Sequence, residues 1–292
     1  MAATTIDPRT RVRTLRKGAP TRRWASPTVY LVAFAFVGLM LAPVAYIIIG
    51  GFRTNAGITQ DPAGWPAPWE VVNYLNVLKG GVFWREMLNS TFAALGTTIG
   101  VVVLGLMASY VLARYRFNGR AVMYSLFAAG LMFPMTVAIT PLYIMIKTLG
   151  LMNSLWGVIL PQIAFALPVT IIILVPFLRA IPAEIEEAAS IDGCSRVGFF
   201  MRMVIPLSVP GVITVAILAF IASWNSYLLP LFILNDQNTF TLPLGVQAFA
   251  SQYSVDTAKV LAFTSLSMIP ALIFFSLFER RIVGGLTGAV KG

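Results

Sequence analysis

The sequence predicts an all-α membrane protein of six transmembrane helices, on three observations. Apolar residues make up 58% of the chain and charged ones only 11%, too few charges to cover a water-facing surface. Six stretches contain no Asp, Glu, Lys or Arg: Thr28–Gly51, Thr91–Ala113, Ala121–Ile146, Trp156–Leu178, Met203–Asn235 and Val260–Phe278. Each reaches the ~18–20 residues that cross about 30 Å of hydrocarbon as a helix. The basic residues, finally, are one-sided. Sixteen of the 21 fall before the first span, between spans two and three, between four and five, or after the sixth. By the positive-inside rule both termini are cytoplasmic.

Residues 1–27 form a basic, Pro-containing cytoplasmic arm suited to the membrane surface. Because topology accounts for its charge, the arm gives no ground for nucleic-acid binding. The first span has too long an apolar core for a secretory signal, and no small-x-small cleavage site follows, so it reads as an uncleaved anchor. The loop Phe52–Leu88 is the longest outside connection, with Trp65, Trp69 and three prolines. These aromatics suit an interfacial belt better than a ligand cage, with a short helix expected over Trp69–Leu78.

Proline recurs through the spans, most densely in the third to fifth: Pro134, Pro141, Pro161, Pro168, Pro176, Pro210 and Pro230, with Pro43 and Pro270 in the first and sixth. Each removes a backbone hydrogen bond, and membranes tolerate the gap only where protein or a water-lined cavity answers it. The cluster therefore points to helices that line a path, although single prolines are common in membrane helices. The fifth charge-free stretch is the longest and is expected to include an interfacial entry turn and a kinked or re-entrant exit.

No span contains an ionisable Asp, Glu, Lys or Arg, which disfavours ion-coupled transport. No P-loop occurs, nor even a Gly-Lys dipeptide, so the energy source lies in another polypeptide. With no histidine and Cys194 the single cysteine, zinc sites, Cys/His nucleophiles and an intrachain disulfide are excluded.

Between spans four and five the chain reads Pro182-Ala-Glu-Ile-Glu-Glu-Ala-Ala-Ser-Ile-Asp-Gly193. Proline in the first turn with Glu184, Glu186 and Glu187 behind it is a helix start. Gly193 ends the helix in a turn that a β-carbon would hinder. A second short helix over Ser195–Val204 is expected before Pro206. Its Phe199, Phe200, Met203 and Val204 would leave an apolar patch exposed, the mark of a protein interface. The acidic first half argues against a helix lying on anionic lipid.

Glu187-Ala188-Ala189, three residues, Gly193, nine residues and Met203-Val204-Ile205-Pro206 together resemble the EAA loop of ABC importer permeases. Asn89-Ser90, Ala113-Arg114-Tyr115-Arg116-Phe117 with Gly119-Arg120, Pro141-Leu142-Tyr143, Ser223-Trp224-Asn225 and the tail Gly288–Gly292 resemble the carbohydrate-importing, maltose-permease G-like members. The resemblance implies a type I ABC importer permease fold. It divides the chain into the arm 1–27, a six-helix permease domain 28–281 with its coupling loop at 182–206, and a cytoplasmic tail 282–292. It also implies a heterodimer with a second permease, two ATPase subunits that hold ATP and Mg²⁺, an extracytoplasmic solute-binding protein, and a sugar as cargo. The chain itself would bind no cofactor and catalyse nothing.

Carried over, Glu187 is the acid that docks on the ATPase, Ala188 and Ala189 pack closely, and Gly193 makes the turn. Glu186, Asp192, Phe199, Ile205 and Pro206 complete the coupling segment. Ala289, Val290 and Lys291 would reach between the ATPases on a tail that Gly284, Gly285 and Gly288 leave flexible. For the solute path, Trp224 and Asn225 offer an aromatic face and an amide, with Tyr143, Gln162 and Tyr227 as further polar candidates. Asn225 could equally stitch helices together. The outer loop Asn235–Lys259, with Thr241-Leu242-Pro243-Leu244 and Gln252, either meets the binding protein or simply packs. A polyol or a glycerol phosphate is the alternative cargo, and an ion-coupled carrier the alternative machine.

Overall fold

In hydrocarbon a helix satisfies its own backbone, so long apolar segments without charge fold as helices whatever their propensities. A computed structural model of the chain describes residues 27–249 and 255–290, with side chains to residue 276. The helices are α1 (Pro27–Gly50), α2 (Asn55–Gln60), α3 (Val72–Lys79), α4 (Gly81–Arg114), α5 (Arg120–Gly130), α6 (Met135–Thr148) and α7 (Leu155–Arg179). There follow α8 (Ala183–Ile191), α9 (Arg196–Phe199), a π turn (Phe200–Val204), α10 (Ile205–Trp224), α11 (Leu228–Ile233), α12 (Leu242–Gly245) and α13 (Thr257–Val290). The chain divides into two units, Met1–Val44 and Ala45–Gly292. Of the first, the described part is the charge-free N-terminal portion of α1; the second holds the helical core.

Five helical stretches are long and apolar enough to span a membrane: α1, α4, α7, α9–α10 run together, and Thr257–Ser276 of α13. The third span expected from sequence is not a single helix. α5 and α6 meet at 101° across Leu131–Pro134, and they make a sixth span only if the bent pair is counted as one. The break falls where Phe133 precedes Pro134, since the proline ring disfavours helical backbone in the residue before it. Pro134 then caps α6. The short helix expected at Trp69–Leu78 begins three residues later, at Val72.

The core is built on α4, α7 and α10. Close approach between α4 and α7 depends on three glycines: a Cβ on Gly96 would meet Ile159 Cδ1 at 3.0 Å, one on Gly100 the Ile163 Cδ1, and one on Gly105 the Thr170 Cγ2. Small residues at such spacing let membrane helices pack backbone to backbone. α4 has 34 residues, roughly 50 Å at 1.5 Å per residue, so its ends project beyond the hydrocarbon. Near its N-terminus Asn89 Nδ2 donates to the carbonyls of Asn238 and Phe240, and Ser90 Oγ accepts from the Leu242 amide at 2.7 Å.

These bonds decide the outer-loop question for one segment. Thr241, Leu242 and Leu244 are buried against the bundle, and a Cβ on Gly245 would collide with the Glu86 carboxylate. Thr241-Leu242-Pro243-Leu244 is therefore packing, and Gln252 lies outside the described residues. At the same end, buried Arg53 gathers the carbonyls of Gly57, Asp61 and Pro62 and so orders the turns around α2. Asp256 joins α2 to α13 through Asn55 and pairs with Lys259 at 2.8 Å. Burial raises its carboxyl pKa, but the bonds from Lys259 and Asn55 outweigh this and hold it below the ordinary value.

Replacing Gly100 by leucine should force α4 and α7 apart at a cost of about 1–3 kcal/mol, the usual range for overpacking. The expected result is a lower thermal midpoint for the purified protein in detergent; an unchanged midpoint would mean that the helices do not depend on this approach.

Candidate functional site

α8 begins as its sequence requires. Pro182 occupies the N-cap, and Glu184 and Glu186 lie in the first turn, where acids oppose the helix dipole. It ends in a Schellman turn: the Cys194 amide donates to Ala189 O at 2.9 Å and the Gly193 amide to Ser190 O at 3.1 Å. Gly193 has φ +74°, the left-handed conformation that glycine adopts without a β-carbon clash.

The faces of α8 separate the candidate residues. Ala189 is buried with Ile185 half-buried beside it, whereas Glu187, Ala188, Asp192 and Gly193 are exposed and Ile191 is 86% exposed. The apolar patch differs from expectation. Phe199 and Val204 are buried with Leu106, Tyr110, Leu174 and Leu178 in one cluster, and Phe200 packs on its edge. Of the four residues expected there Met203 is exposed, and the other exposed apolar side chains are Ile191, Val197 at 70% and Met201. The second short helix does not stop at Pro206 either, because α9, the π turn and α10 run on continuously. Pro206 has no N–H for an α-helical bond, and the chain takes a wider turn before it, with the Ile205 amide bonding back to Phe200 O. Ile205 is half-buried and Pro206 exposed on that turn.

Glu186 faces inward. Its Oε2 lies 2.9 Å from Arg114 Nε and 2.7 Å from Nη2, while Nη1 donates to the Ile181 carbonyl at 2.8 Å. The Arg114 side chain is 9% exposed and that of Glu186 41%. One guanidinium thereby joins the C-terminus of α4, the exit of α7 and the first turns of α8. The sequence analysis singled out Arg114 without a role and placed Glu186 beside Glu187. The signal that separates the two acids is helical period: Glu186 precedes buried Ala189 by three residues, and Glu187 precedes exposed Ile191 by four.

The solute-path candidates do not converge. Trp224 is buried, stacked on Phe220 with ring centroids 5.7 Å apart. Asn225 Nδ2 donates to Ile221 O at 2.9 Å, closing the end of its own helix rather than joining two. Both residues line a cavity of about 410 Å³ against α12 and α13. Tyr227 is exposed, with its hydroxyl 3.5 Å from Gln247 Nε2, and Tyr143 lies half-buried on α6. Gln162 lines a different cavity, of about 240 Å³, bounded by α4, α6, α7 and α10. Its Oε1 accepts from Thr97 Oγ1 at 2.9 Å and Ser223 Oγ at 2.6 Å, partners that sequence reading did not assign to it. Among the described residues no three metal-ligating side chains converge. The helical backbone of α13 continues to Val290, through the glycines expected to loosen a tail. The side chains of Ala289 and Val290, and Lys291 altogether, lie outside the description.

Removing Glu186 alone leaves a buried guanidinium without its counter-ion, which is worse than removing both charges. Glu186→Leu should therefore lower the thermal midpoint more than the double Arg114→Leu/Glu186→Leu variant does, whereas Arg114→Leu leaves a carboxylate that water still reaches. A double-mutant cycle should show a coupling of about 1–3 kcal/mol. Additive effects would show that the pair does not hold α8.

Residues 101–283 match the family described as "binding-protein-dependent transport system inner membrane component". The chain is 35% identical over 251 residues to the diacetylchitobiose uptake system permease protein NgcG of Streptomyces coelicolor, covering 85% of this chain and 83% of that one. It is 37% identical over 259 residues to the trehalose transport system permease protein SugB of Mycobacterium tuberculosis, covering 88% and 94%. Its fold matches the crystal structure of a bacterial ABC transporter that imports the acidic polysaccharide alginate, with a TM-score of 0.74 at 22% identity over 87% of this chain and 94% of that one. The long apolar helices, the packed core of α4, α7 and α10 and these matches agree: the chain belongs to the family of binding-protein-dependent transport system inner membrane components, the permeases of ABC importers.

Proposed function

We propose that this chain is the permease subunit of an ATP-driven, binding-protein-dependent sugar importer. In this reading it forms half of a translocation path beside a second, different permease. Two ATPase subunits dock on its cytoplasmic side, and a solute-binding protein delivers cargo from outside. The one-sided placement of basic residues supports cytoplasmic termini in an inner membrane. The relatives named for diacetylchitobiose and trehalose support a sugar cargo. ATP and Mg²⁺ belong to the ATPase, and this chain makes and breaks no covalent bonds.

The observation that carries the coupling role is the two-faced α8. Its inner face is fixed to the bundle by Arg114 and by Ala189 in the core cluster. Its outer face offers Glu187, Ala188 and Ile191 beside the glycine turn. Small and apolar groups around one acid suit close docking into a basic cleft. A push on α8 is transmitted because a packed core shifts as a body rather than deforming. Closure of the ATPase dimer would then draw the α8 helices of the two permeases together and open the path outward. Ala289, Val290 and Lys291, at the end of α13, are a proposed second contact with the ATPase. The absence of any charged side chain from the lining of the 240 Å³ cavity disfavours a glycerol phosphate there, and equally a carboxylate-coupled ion.

Glu187→Lys reverses the charge on the docking face, and a close charge pair of this kind is worth about 2 kcal/mol or more. ATPase copurifying with the permease should fall more than tenfold, and hydrolysis stimulated by the loaded binding protein should be lost with it. Wild-type values for both would remove Glu187 from docking.

A further inference from the structure

We propose that the cavity bounded by α4, α6, α7 and α10 is a binding subsite for an uncharged, hydroxyl-bearing solute, in which the Gln162 carboxamide donates a hydrogen bond. This inference rests on the import reading and names the chemistry of its path within this subunit. A carboxamide has two acceptor positions on oxygen and two donors on nitrogen. Both Oε1 positions of Gln162 are filled, by the Thr97 and Ser223 hydroxyls. Those two bonds set the rotation of the amide and leave the buried Nε2 without a protein acceptor, in a residue that lines the cavity. Gln162 is 8% exposed, so the orphaned donors are not offset by bulk water. An unmet buried donor is costly, and an entering oxygen acceptor removes that cost. This is a source of affinity confined to ligands that carry such an oxygen.

The rest of the wall selects further. None of the residues lining the cavity is charged. An acidic sugar would therefore lose its hydration with no counter-ion to meet it, whereas hydroxyls need only neutral partners. Phe165 supplies an aromatic face for C–H surface, supported by Phe133 at 6.4 Å between ring centroids. Gln162 and Ser223 lie about two turns from the N-terminus of α7 and at the C-terminal end of α10 respectively, so the donor is held by two helices rather than by a loop. The larger cavity at Trp224 and Asn225 has no comparable feature, since the Asn225 amide already caps α10.

The test uses the complete importer in liposomes, with its own binding protein and with trehalose, maltose, N,N′-diacetylchitobiose and an alginate trisaccharide as probes. Uptake of the best neutral probe should fall between about threefold and tenfold in Gln162→Leu, the range set by one hydrogen bond to a neutral group. Gln162→Glu, which when ionised has no donor, should fall at least as far. Thr97→Val, which only loosens the amide, should fall less. Independently, Ser226→Cys in a Cys194→Ser background places a thiol on the cavity wall with Gln162 intact, and the transported probe should slow its labelling by maleimide. Uptake unchanged in both Gln162 variants, or labelling unaffected by the probe, overturns the subsite. Preference for the alginate trisaccharide overturns its neutral chemistry. Failure of the wild-type complex to import any of the four overturns the sugar-import reading itself, and the subsite falls with it.

Discussion

A backbone amide or carbonyl in hydrocarbon has no water as an alternative partner, so every interruption of a helix must be answered from within the protein. This constraint orders the whole molecule. α7 carries Pro161, Pro168 and Pro176 and α10 carries Pro210, each taking away one intrahelical donor. Hydroxyls on the same helices bond back to their own backbone: Ser208 Oγ lies 2.6 Å from Val204 O and 3.1 Å from Ile205 O, Thr214 Oγ1 donates to Pro210 O, and Thr170 Oγ1 to Ala166 O. The π turn before Pro206 is the same solution made from backbone alone.

The same constraint explains where charge and amide are admitted. Arg114 is buried at the end of α4, where its donors have a carboxylate and the carbonyl of Ile181, in the linker between α7 and α8, within reach. A linker carbonyl has no helical partner, so the guanidinium joins two elements and satisfies that group at once. Between α4, α7 and α10 lies the neutral Gln162, whose oxygen has partners and whose nitrogen has none. One end of the bundle is therefore locked by a charge pair that has its partners, while the interior retains a polar group that lacks one.

Much of this was legible in the sequence because the governing signals are local. Charge-free length marked α1, α4, α7, α10 and α13, and the helix start at Pro182 with its glycine stop predicted α8 and the positive φ of Gly193. Pro134 marks a bend in the sequence, but the size of the break, 101° between two separate helices, has no signal there because absence of charge is continuous across it. The inward turn of Glu186 was open to a helical-period argument. The burial of Phe199 and Val204 was not: it depends on the continuation of α9 through the π turn into α10, and on Leu106, Tyr110, Leu174 and Leu178, which come from helices far away in sequence.

The solute candidates show why residue chemistry alone misplaces a path. Trp224 and Asn225 are adjacent, aromatic and amide, the combination that a sugar needs. Adjacent residues in a helix point about 100° apart, however, and at a helix end one of them is claimed by the cap. Asn225 takes that duty, and Trp224 turns into the Phe220–Phe274 stack. Gln162 sits in mid-helix, where the backbone makes no demand on its side chain. Two hydroxyls from other helices, 65 residues before and 61 after it in the chain, satisfy its oxygen and leave its nitrogen free. Partners so remote in the chain leave no local signal in the sequence, and the same remoteness lets a movement of α4 or α10 against α7 change how the amide is presented.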